Sequence, residues 1–375
     1  MPALREEVAG VNLAQFGAAV AALRDELAVR EARRDDDAFV EYCFTAKGVA
    51  LKQGTFHRRM NATLRAHRFV NIRTPPEGGK SKNVTVFRTI RKLGRDPDAR
   101  VLVVSSTERL VKELVGEIAE NIERNPKVHR VYPRLRPAKG GPWNQTQLTV
   151  ERPSIERTPS VTGIGVLTQQ SQGGRITDLV LDDVINFTNT LTQTYRDRVF
   201  DWLMSDNVLG RMLPEATATH LSNTFHPLDV SHRLEKSAGW TSLVQPAFGG
   251  WNDATRTATG LAFPEQWPEE RLREKREVMT LDSFLRSFGC VARDDAMAHF
   301  KSDWFAGCID RGRGELCDAP HVVANGEQTY TGIDCALKAR ADRDLTALFS
   351  FVLLPNQDRR VLSVESGHWT YPERR

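Results

Sequence analysis

The chain has 375 residues, of which 40% are hydrophobic and 27% are charged, and its formal net charge is +4. This length predicts two compact domains, and this composition predicts a chain with a sizeable core and not an intrinsically disordered one. No stretch approaches the roughly 18 uninterrupted apolar residues of a membrane span, and the N-terminus lacks the layout of a secretory signal, so we expect a cytosolic protein. The five cysteines are scattered without a CxxC pair, which argues against a disulfide framework or a zinc site. The small positive charge permits contact with nucleic acid but does not require it.

The first predicted element is an amphipathic helix within residues 1–40. Phe16, Val20, Leu23 and Leu27 recur at helical spacing, which places them on one face of the helix. Such a face usually packs on its own domain, and we favour that interpretation over a helix that binds a partner.

Strands and helices alternate along residues 41–235. Runs of apolar residues predict buried strands, and segments with helical spacing of apolar residues predict the helices between them. Such alternation is typical of an α/β fold whose mainly parallel sheet is covered by helices on both faces. The predicted strands are 69–72, 100–104, 178–183 and 216–222, and the predicted helices are 84–93, 106–123 and 195–213.

Two further regions follow this α/β core. Residues 236–320 contain a charged, helical pattern, and we expect them to form a lid or linker region. A new β-rich pattern in residues 321–375 predicts the start of a second domain. Its expected strands are 330–334, 345–354 and 360–364.

A candidate phosphate loop, Thr74–Ser81 (TPPEGGKS), lies between the first predicted strand of the core and its helix. It matches the pattern G-x-x-x-x-G-K-[ST] except at the first glycine. Gly78 and Gly79 supply flexible backbone whose N–H groups can face phosphate oxygens. Lys80 supplies a cation for the β- and γ-phosphates, and Ser81 supplies a hydroxyl for Mg²⁺. The helix N-terminus that follows would point at the anion, so the sequence predicts a nucleotide site here.

Two acids end the strand predicted at 178–183. A nucleotide hydrolase needs one carboxylate that holds Mg²⁺ and one that polarises the attacking water. Open α/β sheets place their ligands at the carboxyl ends of the strands. We assign Asp182 to the metal and Asp183 to the water. Because adjacent residues of a strand point to opposite faces, this assignment requires Asp183 to lie at the turn.

These motifs, in this order, resemble those of the large subunit of tailed-bacteriophage terminases, from about residue 50 to the C-terminus. In that family they are the phosphate loop, the metal-binding strand, the coupling motif, the linker and the opening of an RNase H-like nuclease domain. The resemblance implies a P-loop NTPase sandwich that packages DNA and uses ATP and Mg²⁺. The matching segments are PPEGGKS, GGRITDLVLDDV, LSNTFHPLDV, FPEQWPEERLREKREVMTLDSFLRSFGC and GIDCALKARADRDLTAL.

The resemblance also implies roles for single residues. His57 lies in a segment similar to the one near the family's adenine site, and Asn223 and Thr224 lie in the coupling motif, which links hydrolysis to movement. Asp334 is the expected first metal ligand of the nuclease domain, for Mg²⁺ or Mn²⁺. The expected nucleotide-binding residues are His57, Pro76, Glu77, Gly78, Gly79, Lys80 and Ser81; the expected catalytic residues are Lys80, Asp183, Arg175, Asn223 and Thr224; and the expected metal ligands are Ser81, Asp182 and Asp334.

The chain departs from the family's pattern at three places. The phosphate loop has Glu77 where the family often carries arginine, which leaves Arg73 or Arg175 as candidates for that cation. The coupling motif has Asn-Thr where Thr-Arg is frequent, so the residue that senses the γ-phosphate is left open. Only 41 residues (375 − 334) follow Asp334, too few for the further carboxylates of a two-metal nuclease. We therefore expect a truncated or split large subunit, with an incomplete nuclease domain over residues 321–375.

The implied partners are double-stranded DNA, contacted through its phosphates without base readout, a terminase small subunit, a portal protein and further copies of the chain in a ring. The implied location is the cytoplasm of a bacterial host. Two alternatives stay open: another P-loop translocase such as a helicase, and a non-catalytic assembly protein derived from a terminase. A helicase would carry a second motor domain with an arginine-bearing motif, which is not evident after residue 230. The intact Lys80, Ser81, Asp182 and Asp183 argue against a non-catalytic protein, whereas Glu77 and the short C-terminus argue for one.

Overall fold

The computed structural model describes residues 13–46, 48–168, 174–190, 192–206, 208–292, 328–334, 346–354 and 359–367. The chain divides into two units, residues 1–299 and residues 300–375. Within the described ranges, no helix has both the length and the apolar character needed to cross a membrane.

The secondary structure alternates as the sequence predicts. The strands are β1 (Thr45–Ala46), β2 (Val49–Ala50), β3 (Phe69–Arg73), β4 (Val101–Ser105), β5 (Gln147–Leu148), β6 (Val161–Gly165), β7 (Ile176–Asp182), β8 (Met212–Ser222), β9 (Thr241–Val244), β10 (Phe248–Asn252), β11 (Thr257–Leu261), β12 (Gln328–Asp334), β13 (Thr346–Leu353) and β14 (Arg359–Gly367). The helices are α1 (Leu13–Arg34), α2 (Asp36–Cys43), α3 (Thr55–Ala66), a π-helical segment (Ser81–Arg88) that continues as α4 (Thr89–Arg95), α5 (Glu108–Arg124), α6 (Pro126–Val131), α7 (Phe187–Thr190), α8 (Gln193–Met204), α9 (Val230–Glu235), α10 (Glu269–Val278) and α11 (Leu281–Phe288).

Seven strands form the central sheet of the first unit, in the order β5-β6-β4-β7-β8-β3-β9. All neighbouring strands are parallel except β5 and β6. Both faces are buried, as in other parallel sheets. In β4, Val101 and Val103 pack into one hydrophobic core, and Leu102 and Val104 pack into the core on the other face. The predicted fold class, an α/β P-loop NTPase sandwich, is confirmed.

The strand order positions the candidate site. β8 lies between β3, which leads into the phosphate loop, and β7, which ends in Asp182. Because neighbouring parallel strands end at the same edge of a sheet, the loops after Arg73, Asp182 and Ser222 converge there.

The helix predicted at 195–213 is shorter in the structure. α8 ends at Met204, and β8 begins at Met212 instead of residue 216. The physical reason lies in Pro214, which cannot donate a helical hydrogen bond and disfavours helical backbone at Leu213 before it. The continuous apolar spacing therefore spans two different elements.

The apolar stripe of the N-terminal helix is only partly covered. Phe16, Leu23 and Leu27 are 60%, 66% and 63% exposed, whereas Val29 and Ala32 are buried. The interpretation that this face packs on its own domain is wrong for the part of α1 that ends at Leu27. Helical spacing identifies an apolar face, but it carries no information about what covers that face.

The predicted boundary at residue 236 is too early, because β9 (Thr241–Val244) pairs with β3 in the central sheet. The described part of the lid region that follows β9, residues 245–292, has a small core of its own. The antiparallel hairpin of β10 and β11 packs with α10 and α11. The core residues are Ala247, Phe248, Trp267, Leu272, Phe284 and Phe288.

The second unit is described as a three-stranded antiparallel sheet in the order β12-β13-β14. These strands lie where the β-rich pattern predicts them. Asp334 is exposed at the end of β12, where it pairs with Ala347.

Candidate nucleotide site

The phosphate loop, Thr74–Ser81, leaves β3 at the carboxyl edge of the sheet. The Thr74 N–H donates to the Ser222 carbonyl (3.3 Å), which ties the start of the loop to β8. From the helix that follows, Asn83 Nδ2 donates to the Gly79 carbonyl (3.0 Å). These contacts hold the loop in front of a helix N-terminus, where free N–H groups can bind an anion.

His57 is buried against the backbone of the loop. Its Nδ1 accepts the Gly54 N–H (3.3 Å), so Nε2 carries the proton and donates it to the Gly78 carbonyl (3.0 Å). Burial lowers the pKa of His57 and outweighs the opposing effect of the Gly78 carbonyl, so the ring is neutral. A Cβ at Gly79, whose φ is +74°, would lie 3.1 Å from Nε2. Glycine therefore suits this position by both its backbone conformation and its small volume.

Glu77 stands at the outer side of the loop, next to the half-buried Pro76. Its backbone is left-handed, with a φ of 58°, a conformation that disfavours residues with a Cβ. Its Oε2 lies 2.6 Å from Nη2 of Arg271 on α10. The loop position at which the resemblance suggested a cation therefore carries an acid that is paired with an arginine of the lid region.

Lys80 is buried, and its ammonium group contacts two residues, each of which directly follows a strand of the central sheet. Nζ donates to Asn223 Oδ1 (2.7 Å) and lies 3.7 Å from Asp183 Oδ1. Asn223 directly follows β8, and Asp183 directly follows β7. The strand order thus brings together three residues that were assigned to catalysis from separate motifs.

Asp182 is 1% exposed and accepts hydrogen bonds from two hydroxyl groups. Ser81 Oγ donates to Oδ1 (2.8 Å), and Thr85 Oγ1 donates to Oδ2 (2.5 Å). Burial, followed by the charge of Asp183, raises the pKa of Asp182 to about 6. A nearby cation would favour the ionised form that burial disfavours, and carboxylate and hydroxyl oxygens are ligands that suit Mg²⁺. Ser81 and Asp182 therefore fit a magnesium ion.

Sequence reasoning missed Thr85. It lies four residues after Ser81 and shares its helix face, so both hydroxyl groups reach one carboxylate. The spacing of the two hydroxyl residues was the available signal, but it points to Asp182 only once the neighbouring strand is known.

Asp183 lies at the turn after β7, where its assigned role requires it. Its φ is 46°, and its N–H donates to the Leu221 carbonyl (2.9 Å), which anchors the turn to β8. Non-glycine residues in this conformation are uncommon and cluster at functional sites. The turn directs the Asp183 carboxylate towards Lys80 instead of along the face of the strand.

The segment 222–229 leads from the site to α9. Thr224 is buried near its start, and Asp229 is fully buried at its end. The Asp229 carboxylate accepts the N–H groups of Phe225 (3.2 Å), His226 (3.1 Å) and His232 (3.1 Å). Burial alone would raise the pKa of Asp229, but hydrogen bonds from His232 and the backbone lower it. One buried carboxylate thus joins this segment to the first turn of α9.

Two arginines considered for the site lie elsewhere. Arg175 is exposed just before β7, about 23 Å along the strand from Asp182 at about 3.3 Å per residue. Arg73 is buried at the end of β3, and its Nη2 lies 2.8 Å from Glu235 Oε2 on α9. The structure brings neither guanidinium to the outer side of the phosphate loop.

In the second unit, the acids of β12 and β14 lie on opposite faces of the sheet. Asp334 shares a face with its cross-strand neighbours Ala347 and Ser366, whereas Glu365 is paired with Leu348 on the other face. Within the described ranges, no three His, Cys, Asp or Glu residues are grouped to hold a metal ion. Two further acids of this unit, at positions 342 and 344, lie outside the described residues.

Comparison with known proteins gives one relative in sequence and several in structure. No family model matches the chain. The terminase large subunit of Enterobacteria phage T3 is 25% identical over 169 residues, which cover 45% of this chain and 28% of that protein. The match therefore spans less than a third of the relative's length. It confirms the resemblance to terminase large subunits that the motifs indicated.

Two solved structures show a similar arrangement. The large terminase of bacteriophage HK97 has a TM-score of 0.46 at 13% identity, over 89% of this chain and 67% of that chain. A mutant ATPase domain of the Thermus phage P74-26 large terminase has a TM-score of 0.43 at 13% identity, over 64% of this chain and 95% of that chain. Because both TM-scores are below 0.5, the fold assignment rests on the chain's own strand order and phosphate loop.

Proposed function

We propose that the chain is the ATP-hydrolysing motor of a phage DNA-packaging terminase. The observation that carries the proposal is the convergence of Lys80, Ser81 and Asp182 at the carboxyl edge of a parallel sheet, with Ser81 Oγ 2.8 Å from Asp182 Oδ1. This is the arrangement that P-loop NTPases use for a nucleotide with its metal ion. The similarity to the phage T3 protein supports a terminase over other P-loop motors.

The residues of the loop would bind and orient ATP. Backbone N–H groups of Gly78 and Gly79 would hold the phosphate chain, and Lys80 would bind the β- and γ-phosphates. Ser81 and Asp182 would hold Mg²⁺, which neutralises charge on the phosphates when bound. His57 fixes the loop from behind through the Gly78 carbonyl, so its role is to position the loop.

Asp183 would orient the water that attacks the γ-phosphate. Its Oδ1 accepts no hydrogen bond within the described residues, so lone pairs are available for a water molecule. The water oxygen forms the new bond to phosphorus as the bond to the β,γ-bridging oxygen breaks, and the leaving group is ADP. Lys80 Nζ lies 3.7 Å from the same carboxylate, and this short distance supports a site in which the water and the γ-phosphate would be neighbours.

The coupling segment would transmit the change of nucleotide state. Lys80 Nζ donates a hydrogen bond to Asn223 Oδ1 (2.7 Å). Phosphate groups that attract Lys80 would release Asn223, which begins the segment that Asp229 anchors to α9. The resulting shift would act on DNA through phosphate contacts, because a motor must move along any sequence.

The remaining partners follow from the resemblance alone: a terminase small subunit, a portal protein and further copies of the chain in a ring.

We also propose that the described part of the second unit is not a complete nuclease. Two-metal cleavage needs several carboxylates around a pair of ions, and Asp334 and Glu365 are on opposite faces of their sheet.

The test of the proposed function is ATP turnover by Lys80→Ala beside a matched control, Lys82→Ala. Lys82 lies two residues further along, in the helix that follows the loop, but it is exposed and pairs with Glu117 (2.9 Å). We expect Lys80→Ala to abolish turnover, because it removes the cation that offsets charge on the transferring phosphoryl group. The control should retain turnover. Unchanged hydrolysis in a folded Lys80→Ala protein would refute the motor function.

A further inference from the structure

Arg271 connects the lid region to the phosphate loop. Its Nη2 lies 2.6 Å from Glu77 Oε2, and the two side chains are 35% and 54% exposed. This contact joins residues 194 positions apart in the sequence. It places a guanidinium group at the outer side of the loop.

The guanidinium of Arg271 is held in place by the lid region itself. It stacks over the ring of Trp267, 4.1 Å from the ring centroid, and its Nη1 donates to the Gln266 carbonyl (2.8 Å). Trp267 is 1% exposed and belongs to the core of the lid region. A planar cation with these supports loses little freedom when it binds a carboxylate or a phosphate.

A second contact joins the same two parts of the chain. The rings of Phe263 and His57 lie 5.2 Å apart at an interplanar angle of 89°, and His57 is hydrogen-bonded to Gly78. A Cβ at Gly54 would lie 3.2 Å from Phe263. The lid region therefore touches the loop from behind, through His57, as well as at Glu77.

Stability does not explain the acid at position 77. An ion pair this exposed contributes little to folding, and the left-handed backbone of Glu77 disfavours a side chain. A negative charge also repels the anion that a phosphate loop binds, unless a cation accompanies it. The acid has a clear role if its function is to hold the Arg271 guanidinium next to the phosphate loop.

We propose that Arg271 contacts the phosphate chain of the bound nucleoside triphosphate, and that Glu77 holds its guanidinium at the loop until the nucleotide arrives. This inference rests on the proposed function and names a further nucleotide-contacting residue for the same site. Phosphate oxygens compete well for a guanidinium because they accept charge-assisted, bidentate hydrogen bonds. Trp267 anchors Arg271 in the lid region. When the guanidinium leaves Glu77 and binds a phosphate group, the contact between the lid region and the phosphate loop therefore changes.

The test compares two substitutions that break the same ion pair. Titration of a fluorescent ATP analogue with Mg²⁺ measures nucleotide affinity for Arg271→Ala and Glu77→Gln. Arg271→Ala should weaken affinity about tenfold, the effect of one charge-assisted hydrogen bond. Glu77→Gln should strengthen affinity severalfold, because it frees the arginine and removes a repelling charge. Arg273→Ala is the control, because Arg273 pairs with Glu269 on the same helix (2.9 Å) and should leave affinity unchanged.

The directions of the two changes in nucleotide affinity distinguish a phosphate-binding arginine from a purely structural ion pair. If the ion pair only held the lid region in place, both substitutions would shift affinity in the same direction, and this result would overturn the inference. If Arg271→Ala folds poorly, the measurement on Glu77→Gln still tests the inference. A gain of nucleotide affinity in that variant cannot result from misfolding. If Arg271→Ala binds like Arg273→Ala while Lys80→Ala abolishes turnover, the inference fails and the proposed function stands. If the unmodified chain binds no ATP, the proposed function itself fails.

Discussion

The buried histidine of β8 should make the stability of the first unit fall as the pH falls. His220 is fully buried, and its Nδ1 lies 2.8 Å from Asn71 Oδ1. The Asn71 amide nitrogen donates to the Ser231 carbonyl and to Ser242 Oγ, both at 2.9 Å. The Asn71 oxygen is therefore the acceptor, and His220 Nδ1 carries the proton. His220 Nε2 has no hydrogen-bond partner in the part of the chain that the structure describes, so a second proton there would lack an acceptor.

The pKa of His220 sets the size of the effect. Burial lowers this pKa from 6.5 to about 4; Asp229 opposes the shift, and Arg73 and Lys80 add to it. The unfolded chain thus binds the proton more readily, so this contribution to stability is complete above pH 6.5 and is lost as the pH falls towards 4. Between pH 7 and pH 5 the loss is about 2 kcal/mol of unfolding free energy.

Urea unfolding of the wild type and His220→Gln at both pH values measures this contribution. The variant should be less stable at pH 7, by about 1–3 kcal/mol, because a buried hydrogen bond is lost. Its further loss at pH 5 should be about 2 kcal/mol smaller than that of the wild type. His67→Gln, at an exposed histidine, should keep the wild-type pH dependence. Equal pH dependence in wild type and His220→Gln would refute the reasoning.

Three further outcomes follow from the site. Asp182→Asn should weaken Mg²⁺-dependent nucleotide binding, whereas Asp183→Asn should spare binding and lower single-turnover hydrolysis by about 10²- to 10⁴-fold; equal loss of binding in both variants would contradict this division of roles. Thr85→Val removes a 2.5 Å hydrogen bond to the buried Asp182 carboxylate and should lower the free energy of unfolding in urea by about 1–3 kcal/mol; an unchanged urea midpoint would argue against that contact. Plasmid DNA incubated with the chain and Mn²⁺ or Mg²⁺ should stay intact; cleavage that disappears in Asp334→Ala would show that the nuclease site is complete.

The sequence predicted those parts of the site that depend on local pattern. The loop from Thr74 to Ser81 and the two acids at the end of β7 are short motifs whose chemistry is visible in consecutive residues. The prediction that Asp183 lies at a turn also followed from strand alternation alone, and its φ of 46° agrees. Each of these predictions depends only on the backbone conformation and chemistry of residues that are neighbours along the chain.

Contacts between segments that are distant in the sequence could not be predicted from local motifs. The bond between Lys80 and Asn223 exists because β8 lies between β3 and β7, and a sequence does not state its strand order. The pairing of Glu77 with Arg271 likewise depends on how the lid region packs. The resemblance placed Asn223 in a relevant motif, but only the sheet identifies its partner.

Two of the contacts that join the phosphate loop to other parts of the first unit begin at residues of different chemistry. One begins at Lys80, to which we assign the binding of the β- and γ-phosphates, and passes through Asn223 to α9. The other begins at Glu77, which has no assigned part in hydrolysis, and passes through Arg271 to the core of the lid region. A change at Asn223 therefore also alters the surroundings of the Lys80 ammonium, whereas a change at Glu77 leaves the contacts of Lys80 in place. If Arg271 binds the phosphate chain as we propose, a change at Glu77 or Arg271 alters nucleotide affinity and leaves the contacts of Lys80 in place.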